Sequence, residues 1–287
     1  MKGVASAVAA LMALGGCSDQ IHLGSAPLAV PAPDAADAAV APLAPDAAVA
    51  PLAPDAADVP DATPAPPYWF ADHETGDLSQ WFQGGPSAGD QILSTDAQLT
   101  VVTSPAHSGR FAVRSAIFAA NKTSYARLYR WGNLPNDAYF RVWMWIPQRY
   151  TIGLYWNVFE FQGRAVPADP GSLKYLWSLD LEQASNGDMS WYLFDGQRQK
   201  RYPPQVTTVA PIGRWFLVEA FMHQAMDNTG RVTFWIDGSL LVDVSGVSTV
   251  PSSWLSWNVG GSAYNITQQP AEIFLDDAAI APTGPEK

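Results

Sequence analysis

Hydrophobic and polar residues alternate along residues 139–146, which predicts a β-strand because successive side chains of a strand point to opposite faces. One face is apolar and suits a core, with Phe140, Val142, Met144 and Ile146. The opposite face carries Tyr139, Arg141, Trp143 and Trp145. Flat rings beside planar polar groups are typical of a sugar-binding surface. The same rings would also suit a face covered by a loop or a second layer.

A second strand is predicted over residues 156–162, with its two faces again distinct. Asn157, Phe159 and Phe161 share one face, and Trp156, Val158, Glu160 and Gln162 share the other. Further alternating stretches lie at residues 175–181, 216–222 and 232–236, separated by turn signals such as Asn186-Gly187 and Asp237-Gly238. No long stretch has helical periodicity. Many short strands with such turns predict an all-β sandwich.

The N-terminal residues 1–16 have the composition of a secretory signal peptide. Lys2 precedes an apolar run that is too short to span a bilayer as a helix, and residues 14–17 read Leu-Gly-Gly-Cys. This ending resembles a bacterial lipobox, which implies cleavage before Cys17 and lipidation of its thiol. Ser18 follows, and the resemblance then implies an outer-membrane lipoprotein. The alternative is an ordinary signal peptide with an incidental cysteine.

Residues 17–67 are rich in Pro, Ala and Asp and contain a nine-residue repeat, Ala-Pro-Leu-Ala-Pro-Asp-Ala-Ala followed by Val or Asp, at residues 41–58. Residues 18–67 carry seven Asp and no Lys or Arg. Frequent proline favours extended polyproline II structure, so we expect a disordered tether that reaches on the order of 150 Å. Residues 68–287 are then expected to form one domain, since all 12 Trp lie between Trp69 and Trp257.

Charge and cysteine content narrow the function classes. The formal net charge of −11 argues against a nucleic-acid partner. The single cysteine, Cys17, leaves the domain without disulfides or cysteine metal sites. We expect a polysaccharide as the partner, a membrane contact through the lipid anchor alone, and a monomeric domain.

Several loose motifs identify a family resemblance that covers most of residues 68–283. The domain opens with Glu74-Thr-Gly76, closes with Asp276-Asp277, and carries intervening runs at residues 108–114, 213–219 and 228–238. This succession resembles the concanavalin A-like jelly-roll superfamily, and within it the heparin lyase I-like and alginate lyase-like polysaccharide lyases, with laminin G-like and carbohydrate-binding modules close by. The resemblance implies two antiparallel sheets, one convex and one concave, with ligand on the concave sheet.

The same resemblance implies a structural calcium ion. In related domains the opening and closing strands lie side by side and share this ion, which would here involve Glu74, Gly76 and Asp277. Calcium prefers six to eight carboxylate and carbonyl oxygens, which suits such a group. The alternative is that Asp276 and Asp277 are an exposed strand end.

Candidate substrate-binding and catalytic residues follow from the inferred concave face. The predicted face brings together Tyr125, Arg127, Tyr129, Arg141, Trp143, Trp145, Glu160, Gln162, Lys174, Asp180, Glu182 and His223, and further strands could add Glu219, Arg231 and Trp235. A uronate lyase needs a group that neutralises the substrate carboxylate, a base and an acid. Arg127 and Gln162 would neutralise, and Tyr129 or His223 would transfer protons. His223 also suits a structural role, since it lies opposite the core face of its strand.

The catalytic motifs of the related enzymes are incomplete here. The arginine strand of alginate lyases reads Arg-x-Glu-x-Arg, and the nearest match is Arg127-Leu-Tyr129-Arg130; their Gln-x-His becomes Glu160-Phe-Gln162. A laminarinase-type hydrolase on this fold would need a carboxylate nucleophile two residues before Asp180, where Ser178 stands. We therefore expect a surface-tethered protein that recognises a polysaccharide. A polysaccharide lyase and a structural or adhesive surface protein are the alternatives, and a glycoside hydrolase is less favoured.

Overall fold

The computed structural model describes residues 66–84, 87–118, 121–206 and 208–283. The predicted signal peptide lies outside these residues, as does the predicted tether apart from Pro66 and Pro67. In the described ranges, no helix has the length and apolar character needed to cross a membrane.

Two antiparallel sheets account for nearly all of the regular structure, as the family resemblance implies. One α-helix, α1 (Ser79–Phe82), and a 3-10 helix at Pro170–Ser172 are short. The eight-stranded sheet contains β1 (Trp69–Ala71), β3 (Ala97–Val102), β4 (Ala112–Ile117), β6 (Asp137–Trp145), β11 (Trp215–His223), β12 (Gly230–Ile236), β13 (Ser239–Val247) and β15 (Ala271–Ala281). The seven-stranded sheet contains β2 (Ser87–Leu93), β5 (Thr123–Gly132), β7 (Thr151–Arg164), β8 (Leu173–Gln183), β9 (Met189–Asp195), β10 (Lys200–Tyr202) and β14 (Leu255–Thr267).

The strand order is that of a jelly-roll sandwich, so the predicted fold class is confirmed. The eight-stranded sheet runs β13-β12-β11-β6-β15-β4-β3, with β1 also paired to β15. The seven-stranded sheet runs β10-β9-β8-β7-β14-β5-β2. Consecutive strands such as β4 and β5, β5 and β6, or β14 and β15 lie in different sheets, which places the inner face of each sheet against the other.

The core lies between the two sheets and is rich in aromatic rings. Phe140 of β6 packs edge-on against Phe161 of β7, with ring centroids 4.9 Å apart. Trp257 of β14 lies within 5.5 Å of Phe140 and of Phe159. All four side chains are fully buried, and each contributes about 1.5–3 kcal/mol through removal of apolar surface from water. The predicted apolar face of residues 139–146 is thus confirmed as a core face.

The predicted faces of β7 are partly wrong, because a bulge interrupts the alternation. The register with β8 shifts between Asn157 and Phe159, which leaves Val158 as the extra residue. Trp156 and Val158 consequently join the core, and Asn157 moves to the face of Glu160. An extra residue reverses every side chain on one side of it, and periodicity alone does not reveal its position.

Candidate functional site

A groove of about 1600 Å³ crosses the face of the seven-stranded sheet that points away from the core. We call it the groove throughout. All seven strands contribute to its lining, which includes Asp90, Ile92, Tyr125, Arg127, Tyr129, Trp131, Tyr155, Asn157, Glu160, Gln162, Arg164, Lys174, Tyr175, Ser178, Asp180, Glu182, Tyr192, Phe194, Arg201, Trp254, Ser256, Asn258 and Ser262.

Strand β14, which lies between β7 and β5, supplies a low polar floor. Its groove-facing residues are Ser256, Asn258 and Ser262, all buried and short. Between the last two, Gly260 has a positive φ of 110°, and an added Cβ would lie 2.4 Å from a backbone oxygen of β5. Glycine therefore allows the floor to bend while it stays close to β5.

Larger side chains flank this floor in three transverse rows set by the strand register. The first row runs Tyr125, Ser262, Asn157, Asp180 and Tyr192. The second runs Tyr129, Asn258, Glu160, Ser178 and Phe194. The third runs Trp131, Ser256, Gln162 and Tyr175. Each row thus ends in an aromatic ring on both sides of a polar centre, an arrangement that suits a sugar chain lying along the groove.

A buried polar network joins the first two rows. The guanidinium of Arg127 forms a salt bridge with Glu160 and donates to Asn157 Oδ1 at 2.5 Å. Gln162 Nε2 donates to the same Glu160 oxygen at 3.1 Å. Arg127 is only 6% exposed. The network therefore holds the floor side chains in place. Glu160 neutralises the positive charge of Arg127 at its centre.

Asp180 is the most perturbed carboxyl group of the groove. Burial, and next the negative charge of Glu160, raise its pKa from 3.8 to about 7. It is 5% exposed, and its Oδ1 has no hydrogen-bond partner among the described residues. Beside it, burial and the Asp180 charge raise the pKa of Tyr192. Near neutral pH, Tyr192 is therefore protonated and Asp180 is about half protonated, and each protonated group can donate a hydrogen bond.

Cations and rings also meet at the two ends of the groove. The Arg201 guanidinium lies 3.7 Å from the Tyr192 ring centroid and pairs with Glu182 at 2.8 Å. Toward the other end, Arg164 lies 4.1 Å from the centroid of Trp254. Such cation–π contacts hold both the rings and the charges in place.

The structure brings eight predicted site residues together in the groove: Tyr125, Arg127, Tyr129, Glu160, Gln162, Lys174, Asp180 and Glu182. Burial raises the pKa of Tyr129, with Asp90 as the next contributor, so its phenol is protonated at neutral pH. Arg127 and Tyr129 occupy alternate positions on β5, as the strand pattern predicts.

The predicted position of Arg141, Trp143 and Trp145 beside Arg127 is wrong. These residues lie on β6, which pairs with β11 and β15 in the eight-stranded sheet. The chain crosses between sheets after β5, so two strands adjacent in sequence are not adjacent in a sheet. The Trp143 and Trp145 rings face outward on the opposite side of the sandwich. The eight-stranded sheet also holds three further residues predicted on the same face: Glu219, Arg231 and Trp235.

His223 is also remote from Arg127, since it lies on β11 of the eight-stranded sheet. Its Nδ1 is 2.8 Å from an oxygen of Asp137 on the neighbouring strand. None of the described residues that line the groove is a histidine. The prediction that His223 transfers protons beside Tyr129 is therefore wrong in its placement.

Several groove residues escaped the sequence analysis. Strict alternation predicts Asn157 on the core face, but the bulge at Val158 turns its side chain into the groove. Tyr192 belongs to β9, where Met189, Trp191 and Leu193 face the core and Tyr192 faces the groove. That alternation is visible in the sequence, so strand β9 carried a usable signal for Tyr192.

The predicted calcium ligands Glu74, Gly76 and Asp277 lie near one loop, where both carboxylates bond to protein groups. Glu74 Oε1 accepts two backbone N–H groups of that loop at 2.8 and 2.9 Å. His107 Nδ1 lies 2.6 Å from one oxygen of Asp277, and the Ser108 hydroxyl donates to the other at 2.9 Å. Gly76 forms a tight turn with a positive φ. Over the described ranges, no group of three or more His, Cys, Asp or Glu side chains forms a candidate metal site.

Together, the sheet order and the groove define a jelly-roll β-sandwich with a cleft across one sheet. The chain is similar in fold to the endo-β-1,4-glucuronan lyase from the fungus Trichoderma reesei, with 16% identity, a TM-score of 0.56, and coverage of 76% of this chain and 96% of that one. It is also similar to a cellulose-induced protein, Cip1, with 17% identity, a TM-score of 0.50, and coverage of 75% and 97%.

These similarities extend to the fold alone at such low identity. No protein-family model matches the sequence, and no curated protein matches it either. The fold is thus one that this glucuronan lyase also has, and the function has to be argued from the groove of this chain.

Proposed function

We propose that this protein recognises a polysaccharide chain in the groove. The observation that carries the proposal is the row arrangement, in which polar floor residues lie between aromatic side chains at both margins. Sugar rings stack on aromatic faces, and their hydroxyl groups exchange hydrogen bonds with planar polar groups. Among the described margin residues, Tyr175 is the most exposed tyrosine, at 63%.

Recognition is favoured over catalysis because the guanidinium of Arg127 is already bonded to other groove residues. A lyase uses a cation or amide to neutralise the substrate carboxylate while a base removes the adjacent proton. Here Arg127 donates to Glu160 and Asn157 instead. A substrate carboxylate would have to displace Glu160 from this buried pair, which is energetically costly.

Affinity electrophoresis of the full chain in gels loaded with alginate, glucuronan, pectate or heparin-type glycans tests the proposal. We expect retardation in at least one gel, and a loss of roughly tenfold or more in affinity for Tyr175→Ala. The matched control is Tyr68→Ala, since Tyr68 is 48% exposed and does not line the groove. Equal retardation of both variants would contradict groove binding.

A polysaccharide lyase is the second candidate, supported by the proximity of Tyr129, Gln162 and Arg127 in the groove and by the fold shared with a glucuronan lyase. The raised pKa of Tyr129 suits a proton donor to the leaving oxygen. β-Elimination creates an unsaturated sugar that absorbs ultraviolet light. A rising absorbance with uronate polymers that is lost in Tyr129→Phe would establish the lyase, while a flat signal in both assays would favour a structural or adhesive role.

We also infer that the protein is exported and anchored in the bacterial outer membrane through a lipid on Cys17. The support is the Leu-Gly-Gly-Cys ending of the apolar N-terminal run and the placement of the only cysteine there. Detergent phase partitioning of the full chain expressed in a Gram-negative host tests this inference. We expect wild type in the detergent phase and Cys17→Ala in the aqueous phase; partition of both into the aqueous phase would contradict lipidation.

A further inference from the structure

The outer face of the eight-stranded sheet carries an aromatic surface that the groove does not use. We call it the aromatic face, and it consists of half-buried rings on β6, β11 and β12: Tyr139, Trp143, Trp145, Trp215, Phe221 and Trp235. Tyr139 packs against Phe221 and Trp235 with centroids 5.1 and 6.1 Å apart, and Trp145 packs against Trp215 at 5.9 Å. His107 stacks on Trp143 at 3.8 Å, so the rings around Tyr139 and Trp235 form the open part of the face. Aromatic clusters on an outer sheet face often mark binding sites.

An unsatisfied carboxylate lies in the middle of this surface. Glu219 pairs in register with Arg141 on one side and with Trp235 on the other. Its neighbours Val218 and Ala220 are in the core, so Glu219 points toward the aromatic face. It is 1% exposed, and neither carboxylate oxygen has a hydrogen-bond partner among the described residues.

The adjacent donor is also unsatisfied. Arg141 Nε is buried without a hydrogen-bond partner among the described residues, and Nη2 reaches only the backbone oxygen of Thr283, at 3.5 Å. Leaving buried polar groups unpaired is energetically costly, and more so when the groups are charged. A ligand that supplies hydrogen bonds to both groups would therefore recover this free energy.

The chemistry of the pair selects the ligand. Glu219 needs a donor and Arg141 needs an acceptor, and their charges cancel. An anion would be repelled by Glu219 and a cation by Arg141, whereas a hydroxyl group both donates and accepts. The surrounding rings favour a ligand with a flat apolar face. A neutral pyranose with adjacent hydroxyl groups meets all of these requirements.

We propose that the aromatic face is a second glycan-binding surface, which takes a neutral pyranose of a polysaccharide through Glu219, Arg141 and the Trp235 ring. It lies on the opposite side of the sandwich from the groove, so it does not rest on the groove function. The ligand reaches Glu219 by a side-chain movement of Arg141 or Trp235, because the carboxylate is covered in the free protein.

Affinity electrophoresis of the full chain in gels loaded with a neutral β-glucan, mannan or xylan tests the proposal. We expect retardation by at least one of them, with roughly tenfold or greater loss of affinity in Trp235→Ala and in Glu219→Gln. Glu219→Gln is nearly isosteric and removes a buried charge, so it keeps the test valid if Trp235→Ala fails to fold. The matched control is Tyr68→Ala, whose retardation is expected to equal that of wild type, since Tyr68 is exposed and belongs to neither the groove nor the aromatic face.

Three results would overturn the proposal. The first is a lack of retardation by every neutral polysaccharide, and the second is retardation unchanged in Glu219→Gln. The third is a sedimentation mass that exceeds one chain for wild type and falls to one chain for Trp235→Ala, which would show that a second copy covers the aromatic face.

Discussion

Arg127 and Glu160 form a salt bridge beneath the groove, with both side chains buried. The two residues come from strands that flank β14, so the bridge spans the floor from β5 to β7. Asn157 and Gln162 satisfy further hydrogen-bonding groups of the same pair. A buried ion pair adds little net stability relative to apolar residues, but it becomes costly when one partner is removed.

Removal of Arg127 alone is therefore expected to destabilise the protein strongly. Arg127→Ala leaves Glu160 as an uncompensated buried charge and should lower the free energy of unfolding by roughly 3–5 kcal/mol. The double variant Arg127→Met, Glu160→Leu removes both charges and should be substantially more stable than the single variant. Urea unfolding monitored by tryptophan fluorescence measures both. Equal stabilities of the single and double variants would contradict a coupled pair.

Asp180 predicts a pH dependence of stability. Its pKa in the folded protein is raised to about 7 by burial and Glu160, so the native state binds more protons than the unfolded state between the two pKa values. The free energy of unfolding should therefore fall as pH rises from about 4 to about 7, by up to roughly 4 kcal/mol for this group. Asp180→Asn should flatten that fall. An unchanged pH profile in Asp180→Asn would contradict the burial of an ionisable carboxyl group.

Gly89 lies at the groove margin, where an added side chain would overlap with neighbouring atoms. An added Cβ at this position would lie 2.0 Å from the backbone oxygen of Trp81 and 2.8 Å from Arg130 Cδ. Gly89→Ala should destabilise the protein by roughly 1–3 kcal/mol or more through this overlap. Gly84→Ala is the matched control, because no atom lies within 4 Å of its added Cβ. Thermal unfolding of the two variants separates steric overlap from a general effect of replacing glycine.

Asp276 lies on the closing strand, β15, and we expect it to stabilise the fold. This fully buried carboxylate accepts hydrogen bonds from the backbone of His107 and Asp277 at 2.9 Å and faces His73 Nδ1 at 3.3 Å. Trp81 Nε1 donates to His73 Nε2, so Nδ1 carries the ring proton of a neutral His73 and donates to Asp276.

Asp276→Asn should lower the free energy of unfolding by roughly 2–4 kcal/mol, because an amide nitrogen cannot accept these hydrogen bonds. The exposed Asp137→Asn is the control, with an expected change below about 1 kcal/mol. Urea denaturation provides the comparison, and a near-neutral Asp276→Asn would refute the role.

The calcium site inferred from sequence makes a separate prediction for the same region. If Glu74, Gly76 and Asp277 bind calcium, added calcium should raise the Tm, a chelator should reverse the rise, and Asp277→Asn should abolish it. A Tm that is the same in calcium and in chelator would contradict the calcium site. The side-chain partners of Asp277 would then be His107 and Ser108.

Three features could be predicted from sequence: the all-β class, the core face of residues 139–146, and the alternation of Tyr125, Arg127 and Tyr129 on β5. These features follow from period-two alternation and turn residues, which are local properties of the chain. For the same reason β9 could have revealed Tyr192.

The sheet to which each strand belongs, and the side chains that therefore share a face, follow from tertiary contacts. Trp143 and Arg127 belong to successive strands, yet they lie on opposite outer faces because the chain crosses between sheets. The bulge at Val158 moves Asn157 into the groove, and the register of β14 places short polar residues at its floor. Strand order and bulges depend on hydrogen bonds between residues far apart in sequence, so local periodicity does not encode them.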